Sequence, residues 1–192
     1  MNKCGDSHGG CSSCPDDRVR VVHARTSAYA RTDLWGPPPP YQPPAPEQIA
    51  DLDEVYAAVA ASLDHFGPEV CHACGKCCHF TPTGLMLFGS ALEMAYLVSS
   101  AGVVPLPPEP ATPEAEWACP YQRENLCTAR RGRPLGCRTY FCHELARADG
   151  ELLYAEALRE VQRIARRQGN PWWYGPARTC LEAWAGTEVG ER

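Results

Sequence analysis

Four cysteines fall within eight residues of this chain, in the stretch CHACGKCC at residues 71–78. The C-x2-C-x2-C spacing lets one loop turn several sulfur atoms toward a common centre, and Gly75 allows its backbone to fold back. Cys77 and Cys78 are adjacent, and neighbouring side chains of an extended chain point to opposite faces. These two thiols therefore serve either different centres or different atoms of one cluster.

The redox compartment decides how the 12 cysteines of the chain are interpreted. The first residues lack the apolar core of a signal peptide, so we expect a cytoplasmic, reduced protein. In a reducing compartment, clustered thiols are more often metal ligands or redox groups than disulfides. The formal net charge of -5 does not favour nucleic acid or an anionic membrane as a partner. No apolar run reaches the length of a membrane span.

A second group of cysteines lies in a segment rich in glycine and proline, between residues 119 and 142. That composition predicts irregular, metal-organised loops. The eight thiols permit two tetrathiolate centres, one larger polynuclear centre, or one four-coordinate centre with spare thiols. The candidate metal ligands are Cys71, Cys74, Cys77, Cys78, Cys119, Cys127, Cys137 and Cys142.

The spacing of the first group bears on the identity of the metal. Structural zinc sites usually pair two separated C-x2-C units, and only the first group has that spacing. C-x2-C-x2-C followed by remote cysteines is closer to ferredoxin-type ligation, so an iron–sulfur cluster is favoured and zinc is the alternative. Positive charge from Lys76, Arg133 and Arg138 would offset the thiolates. With eight thiols available, we expect His72, His79 and His143 to lie behind the ligands or to face solvent.

Hydrophobic periodicity predicts a mainly α fold in which two or three helices brace a small cysteine-cluster domain. Apolar residues recur at helical spacing over 48–66 and again over 150–168, and these two long helices are expected on either side of the site. Ser90 and Glu93 form a capping-box pattern for a third helix over 90–101, with Gly102 placed to end it. An apolar run bounded by glycines at 84–89 suits a short strand.

Composition divides the chain into three parts. Residues 1–46 form a cysteine-bearing tail and a proline-rich linker, residues 47–182 the cysteine-cluster domain, and residues 183–192 a polar C-terminal tail. The prolines of 37–46 predict a polyproline II connector or a strap along the domain surface. Whether Cys4, Cys11 and Cys14 of the tail form a further site, together with Cys180, stays open.

The joint spacing of both groups resembles the YkgJ-type cysteine-cluster family over roughly residues 65–145. The matching elements are Cys71-x2-Cys74-x2-Cys77-Cys78, Cys119-Pro120, Cys127, Arg133-Pro134 and Cys137-Arg138-x3-Cys142. The resemblance implies a zinc- or iron-chelating domain, and a similar cluster in a methylase implies that such a centre can sit in an enzyme. Phe141 stands where relatives often have proline, and Thr128 to Arg131 replace an apolar stretch.

Motifs of other function classes are missing from the sequence. It contains no G-x-S-x-G, no phosphate-binding Gly-Lys-Ser loop and no H-E-x-x-H. The sequence therefore predicts a metal-binding protein that holds an iron–sulfur cluster or zinc through cysteine thiolates. Two alternatives remain: an enzyme using the cluster for redox or group-transfer chemistry, and a redox or metal sensor in which Cys77 and Cys78 are oxidised. The sequence leaves a protein partner undefined.

Overall fold

The computed structural model of the chain describes residues 35–66, 75–80, 86–102, 104, 118–141, 144–187 and 189. This part of the chain is mainly α-helical, which confirms the predicted fold class at that level. The helices are α1 (Pro46–Leu63), α2 (Ala91–Ala101), α3 (Leu135–Thr139), α4 (Glu144–Arg167) and α5 (Ala177–Ala183); the strands are β1 (Phe88–Ser90), β2 (Gln122–Arg123), β3 (Leu126–Cys127) and β4 (Tyr174–Pro176).

The two long helices pack against each other, as the apolar periodicity indicates. Tyr56 and Leu52 of α1 share one buried cluster with Val161 and Ile164 of α4. Burial of such side chains contributes about 1.5–3 kcal/mol each. A short 3₁₀ turn at Asp64–Phe66 extends α1 to the predicted end of the helix. None of the helices in the described part of the chain is long and apolar enough to cross a membrane.

The last long helix begins at Glu144, six residues before the predicted start at residue 150. Gly150 is the reason for the difference, because glycine disfavours a helix interior by about 1 kcal/mol and suggests a boundary. In the structure Gly150 is buried within α4, and a Cβ there would collide with the carbonyl oxygen of Thr139. The glycine therefore permits close packing of α3 and α4.

Helix α2 begins and ends at the residues that the sequence indicates. The Ser90 hydroxyl accepts a hydrogen bond from the Glu93 amide at 3.2 Å, and the Glu93 carboxylate accepts one from the Ser90 amide at 2.9 Å. At the other end, Gly102 adopts a left-handed φ of 71° and donates its amide to Val98 at 2.9 Å. Both the capping box and the glycine C-cap are confirmed.

Strands β1 and β4 pair in an antiparallel ladder that joins α2 to the C-terminal segment. The predicted strand at 84–89 is shifted, since β1 starts at Phe88 and residues 81–85 lie outside the described residues. The pairing stacks the ring of Tyr174 on Phe88 with 5.8 Å between centroids. Trp173, which precedes β4, is buried beside α2.

The proline-rich segment at 35–45 lies along the helical core as a strap. The indole of Trp184 donates a hydrogen bond to the carbonyl of Pro39 at 2.8 Å, and that of Trp173 donates to Gly36 at 3.3 Å. The ring of Tyr41 packs edge-on against Trp184. Carbonyl groups in a proline run have no helix or strand partners, so indole donors are what attach this segment.

Replacing Trp184 with Phe should release the strap from the core. The variant Trp184→Phe loses the donor to Pro39 and part of a buried ring, at a cost of about 1–2 kcal/mol. We expect lower stability in urea and faster proteolysis within residues 36–44. Trp35→Phe is the control, because Trp35 is exposed and its ring is in an edge arrangement with Phe88. Equal proteolysis rates in both variants would show that the indole hydrogen bond does not hold the strap.

Candidate metal centre

The structure describes residues 75–78 of the first cysteine group, and they form a tight turn that begins at Gly75. Gly75 has φ of 73°, and its carbonyl accepts a hydrogen bond from the Cys78 amide at 2.9 Å across a 3₁₀ turn at Lys76–Cys78. Cys77 is exposed on this turn and Cys78 is half-buried. The turn thus presents two adjacent thiols that differ in their exposure to solvent.

The second cysteine group contains a β-hairpin that the sequence analysis did not predict. Strands β2 and β3 are joined by Glu124 and Asn125, both with positive φ, as in a type I′ turn. Such turns prefer Asn-Gly or Asp-Gly, so the Glu-Asn pair gave little signal for a hairpin. The hairpin carries Cys127 on β3 and is closed by the Thr128 amide, which donates to Tyr121 at 2.8 Å.

Backbone contacts join the turn to the hairpin. The side-chain amide of Gln122 donates to the Gly75 carbonyl at 2.9 Å, and the amide of Cys119 donates to the Cys78 carbonyl at 2.8 Å. An antiparallel bridge between His79 and Ala118 continues this pairing. A Cβ at Gly75 would lie 2.5 Å from the Gln122 amide nitrogen and 2.8 Å from the Asn125 carbonyl. The two cysteine groups therefore meet where only glycine fits.

Helix α3 supplies Cys137, and a buried carboxylate fixes the start of this helix. The amide of Leu135, the first residue of α3, donates to Glu93 of α2 at 2.8 Å. Glu93 is 1% exposed. A carboxylate at a helix N-terminus satisfies a free amide and interacts favourably with the helix dipole. Glu93 was predicted as a cap of α2 only, and its second role links two elements that are distant in sequence.

Two arginines of this region have different roles. Arg138 donates hydrogen bonds to the carbonyls of Arg133 and Arg131, and its guanidinium lies over the Tyr56 ring, 3.8 Å from the centroid. Arg138 therefore ties the 131–133 loop to α1 and α3. Arg133 faces the cysteines, and its Nε is buried without a hydrogen-bond partner among the described residues. Both arginines interact electrostatically with cysteines of this region, and Arg133 also lines the cavity that these cysteines share.

Five cysteines line one cavity of about 410 Å³, which we call the thiol cavity. Its remaining described walls are mostly apolar and aromatic side chains of β1, α3, α4 and β4. All five cysteines are free thiols. They come from the turn, the hairpin segment and α3: Cys77, Cys78, Cys119, Cys127 and Cys137.

The pKa values of three of these thiols, those of Cys77, Cys119 and Cys137, are raised. Burial raises the pKa of Cys119 to about 11, and the neighbouring Cys127 and Cys77 act in the same direction. Burial also raises the pKa of Cys137, with further increases from Cys119, Cys127 and Cys77. The hydrogen bond with Cys78 is the main cause of the raised pKa of Cys77. Four thiols thus influence one another electrostatically across the cavity.

Several predicted groups fall outside the described residues. These include three of the eight candidate ligands, the side chain of Lys76 and two of the three histidines. Within the described residues, no three His, Cys, Asp or Glu side chains are grouped closely enough to hold an ion. Cys180 is fully buried in the hydrophobic cluster with Trp184, away from the thiol cavity. The candidates outside the described residues are Cys71, Cys74, Cys142, His72 and His143, together with Cys4, Cys11 and Cys14 of the tail.

Comparison of the chain with family models, curated proteins and solved structures finds no match.

Proposed function

We propose that this chain binds a metal centre through cysteine thiolates contributed by both cysteine groups. The observation that carries the proposal is that Cys77, Cys119, Cys127 and Cys137 line one cavity although they come from separate segments. Free thiols packed against one another raise each other's pKa, and a metal ion relieves this cost by accepting the thiolates as ligands. Cys71, Cys74, Cys78 and Cys142 complete the proposed ligand set.

The charge of the cavity supports a thiolate-bound centre. Metal–thiolate clusters carry negative charge, which is costly to bury without a cation or hydrogen-bond donors. Arg133 lines the cavity and has a buried Nε donor without a partner in the described part of the chain. A cluster sulfur or thiolate would accept that hydrogen bond and share the arginine charge.

The volume of the cavity favours an iron–sulfur cluster over a single zinc ion. Zinc is held directly by four ligands at about 2.0–2.3 Å and needs no cavity around it. A cavity of about 410 Å³ lined by five thiols leaves room for inorganic sulfide and several irons. Zinc remains the alternative, consistent with the zinc- or iron-chelating family that the cysteine spacing resembles.

Metal binding is expected to organise the loops that carry the ligands. The described thiols line a common cavity without closing on a single point, so their side chains must converge when the metal binds. Each protonated thiol must also lose its proton. Part of the free energy of metal binding thereby becomes folding free energy, in agreement with the predicted metal-organised loops.

A second candidate function is an enzyme in which the centre acts on a bound molecule. Such an enzyme needs a substrate pocket next to the metal, and the thiol cavity continues from the cysteines to an aromatic wall that includes Tyr154 and Tyr174. This observation favours redox or group-transfer chemistry over the sensor hypothesis.

Anaerobic purification of the full chain tests the proposed metal centre. We expect a visible absorption band together with iron and acid-labile sulfide in the purified protein. Colourless protein with stoichiometric zinc would show that the centre is a zinc site and not an iron–sulfur cluster. Protein that contains neither iron nor zinc would overturn the proposal.

Single cysteine variants test which thiols hold the metal. Cys127→Ala and Cys137→Ala should each lose most of the metal, whereas the control Cys180→Ala should retain it because Cys180 lies in the core. Cys77→Ala should lose more metal than Cys78→Ala, since Cys77 interacts with the thiols of Cys119 and Cys137. Equal metal content in Cys180→Ala and Cys137→Ala would contradict the assignment of the site.

A further inference from the structure

The thiol cavity is larger than a metal centre requires, and its walls differ from one part to another. Its volume of about 410 Å³ lies within the range of small-molecule sites, roughly 300–1,000 Å³. Besides the cysteines, α4 and β4 contribute Tyr154 and Tyr174 to the lining, and β1 contributes Phe88. Phe80 and Tyr140 add two further aromatic rings. Aromatic walls of this kind favour a planar, apolar molecule.

A pair of phenols gives the aromatic wall one specific polar group. The hydroxyls of Tyr154 and Tyr174 form a hydrogen bond with each other. Two hydroxyls bonded in this way use one O–H, and the other O–H has no acceptor among the described residues. Burial raises the pKa of both Tyr154 and Tyr174, so both phenols keep their protons at neutral pH. The cavity therefore offers a hydrogen-bond donor to a bound molecule.

The charges around the cavity favour a neutral occupant. Arg133 is the cation that lines it, and the thiols of Cys77 and Cys137 lie within its electrostatic influence. Glu151, exposed on α4, also lines the cavity and repels anions. A carboxylate or phosphate would thus meet both a carboxylate and the thiolate centre. An uncharged molecule avoids these costs.

We propose that the thiol cavity binds a small, neutral aromatic molecule whose carbonyl oxygen accepts a hydrogen bond from the Tyr154–Tyr174 pair. The bound ring lies between the aromatic wall and the cysteines, which makes the molecule a substrate or effector of the centre. This role, and the exclusion of anions by the thiolate centre, rest on the proposed metal site. The cavity and the phenol pair are properties of the chain itself.

Acetophenone and ethylbenzene are suitable probes because they have nearly the same shape and differ in the carbonyl. Their binding to the full chain is measured by calorimetry and by ligand-observed NMR, with the anaerobically purified protein and with protein treated with a chelator. We expect acetophenone to bind about fivefold more tightly than ethylbenzene, which is the effect of one hydrogen bond. Equal affinities, or no binding of either probe, would overturn the proposal.

Variants distinguish the contribution of the phenol pair to binding from that of the other residues in the cavity wall. The double variant Tyr154→Phe/Tyr174→Phe should remove the preference for acetophenone and leave the affinity for ethylbenzene unchanged, because either phenol alone still carries one O–H donor. Met86→Trp places an indole in the cavity wall and should abolish binding of both probes, whereas the control Leu152→Trp adds an indole at an exposed position of α4. Unchanged binding in Met86→Trp would show that the probes bind elsewhere and would contradict the proposal.

Metal content is measured in every sample, so the two proposals fail separately. Selective binding of acetophenone by a protein without iron or zinc would support the ligand site and overturn the metal centre. Metal-loaded protein that does not distinguish the two probes would support the metal centre and overturn the ligand site.

Discussion

Gly75→Ala is expected to lose most of the metal of the proposed centre and to destabilise the protein by about 2–5 kcal/mol. A left-handed backbone costs a non-glycine residue about 1–2 kcal/mol, and overpacking adds about 1–3 kcal/mol. The added Cβ would lie 2.5 Å from the Gln122 amide nitrogen and 2.8 Å from the Asn125 carbonyl. The hairpin must move away, and Cys127 on β3 moves with it relative to Cys77 and Cys78.

Gly102→Ala is a matched control for this variant. Gly102 has φ of 71°, close to the 73° of Gly75, but a Cβ at Gly102 meets no atom within 4 Å. The control therefore carries the backbone strain without the collision, and it should lose about 1–2 kcal/mol and keep its metal. Urea unfolding and metal analysis of both variants check this. Equal metal content in the two variants would show that contact between turn and hairpin does not position the ligands.

Local sequence signals predicted the long helices but not the short elements around the cysteines. Apolar periodicity and the Ser90–Glu93 capping box report interactions within one helix, so they are visible in the sequence. The hairpin at residues 122–127 lacks the usual glycine in its turn. In the sequence, Gly150 suggested the start of a helix. Glycine is required there because the Thr139 carbonyl packs closely against it, and this tertiary contact is not visible in the sequence.

The sequence predicted only part of the candidate site, because contacts between residues that are distant in the chain leave no local pattern. Clustering and spacing identified the cysteines, and Cys77 and Cys137 line a common cavity in the structure. Tyr154 and Tyr174 gave no such signal, because their hydroxyl pair joins a helix to a strand. Arg138, adjacent to Cys137, was expected to offset thiolates, and it does interact electrostatically with Cys137 although it hydrogen-bonds loop carbonyls and Arg133 lines the cavity.

Glu93→Ala is expected to destabilise the protein by about 3–5 kcal/mol, as removal of one partner from a buried charged network does. The carboxylate accepts hydrogen bonds from the amide and hydroxyl of Ser90 and from the amide of Leu135. Truncation leaves these donors buried and unpaired at the starts of α2 and α3. Glu160→Ala is the control, because Glu160 forms an exposed pair with Arg163 that contributes about 0–1 kcal/mol.

The pH dependence of stability identifies the Glu93 carboxyl group itself. Burial raises the pKa of Glu93 above 4.5, although the hydrogen bonds from Leu135 and Ser90 oppose that shift. A carboxyl group with a raised folded-state pKa contributes stability that is fully present below its unfolded pKa and is lost as the pH rises through the folded pKa. The stability of the native chain relative to Glu93→Gln should therefore increase as the pH is lowered from 7 toward 4.5, as measured by urea unfolding. A difference that does not change with pH would mean that the buried carboxyl group titrates as it does in the unfolded chain.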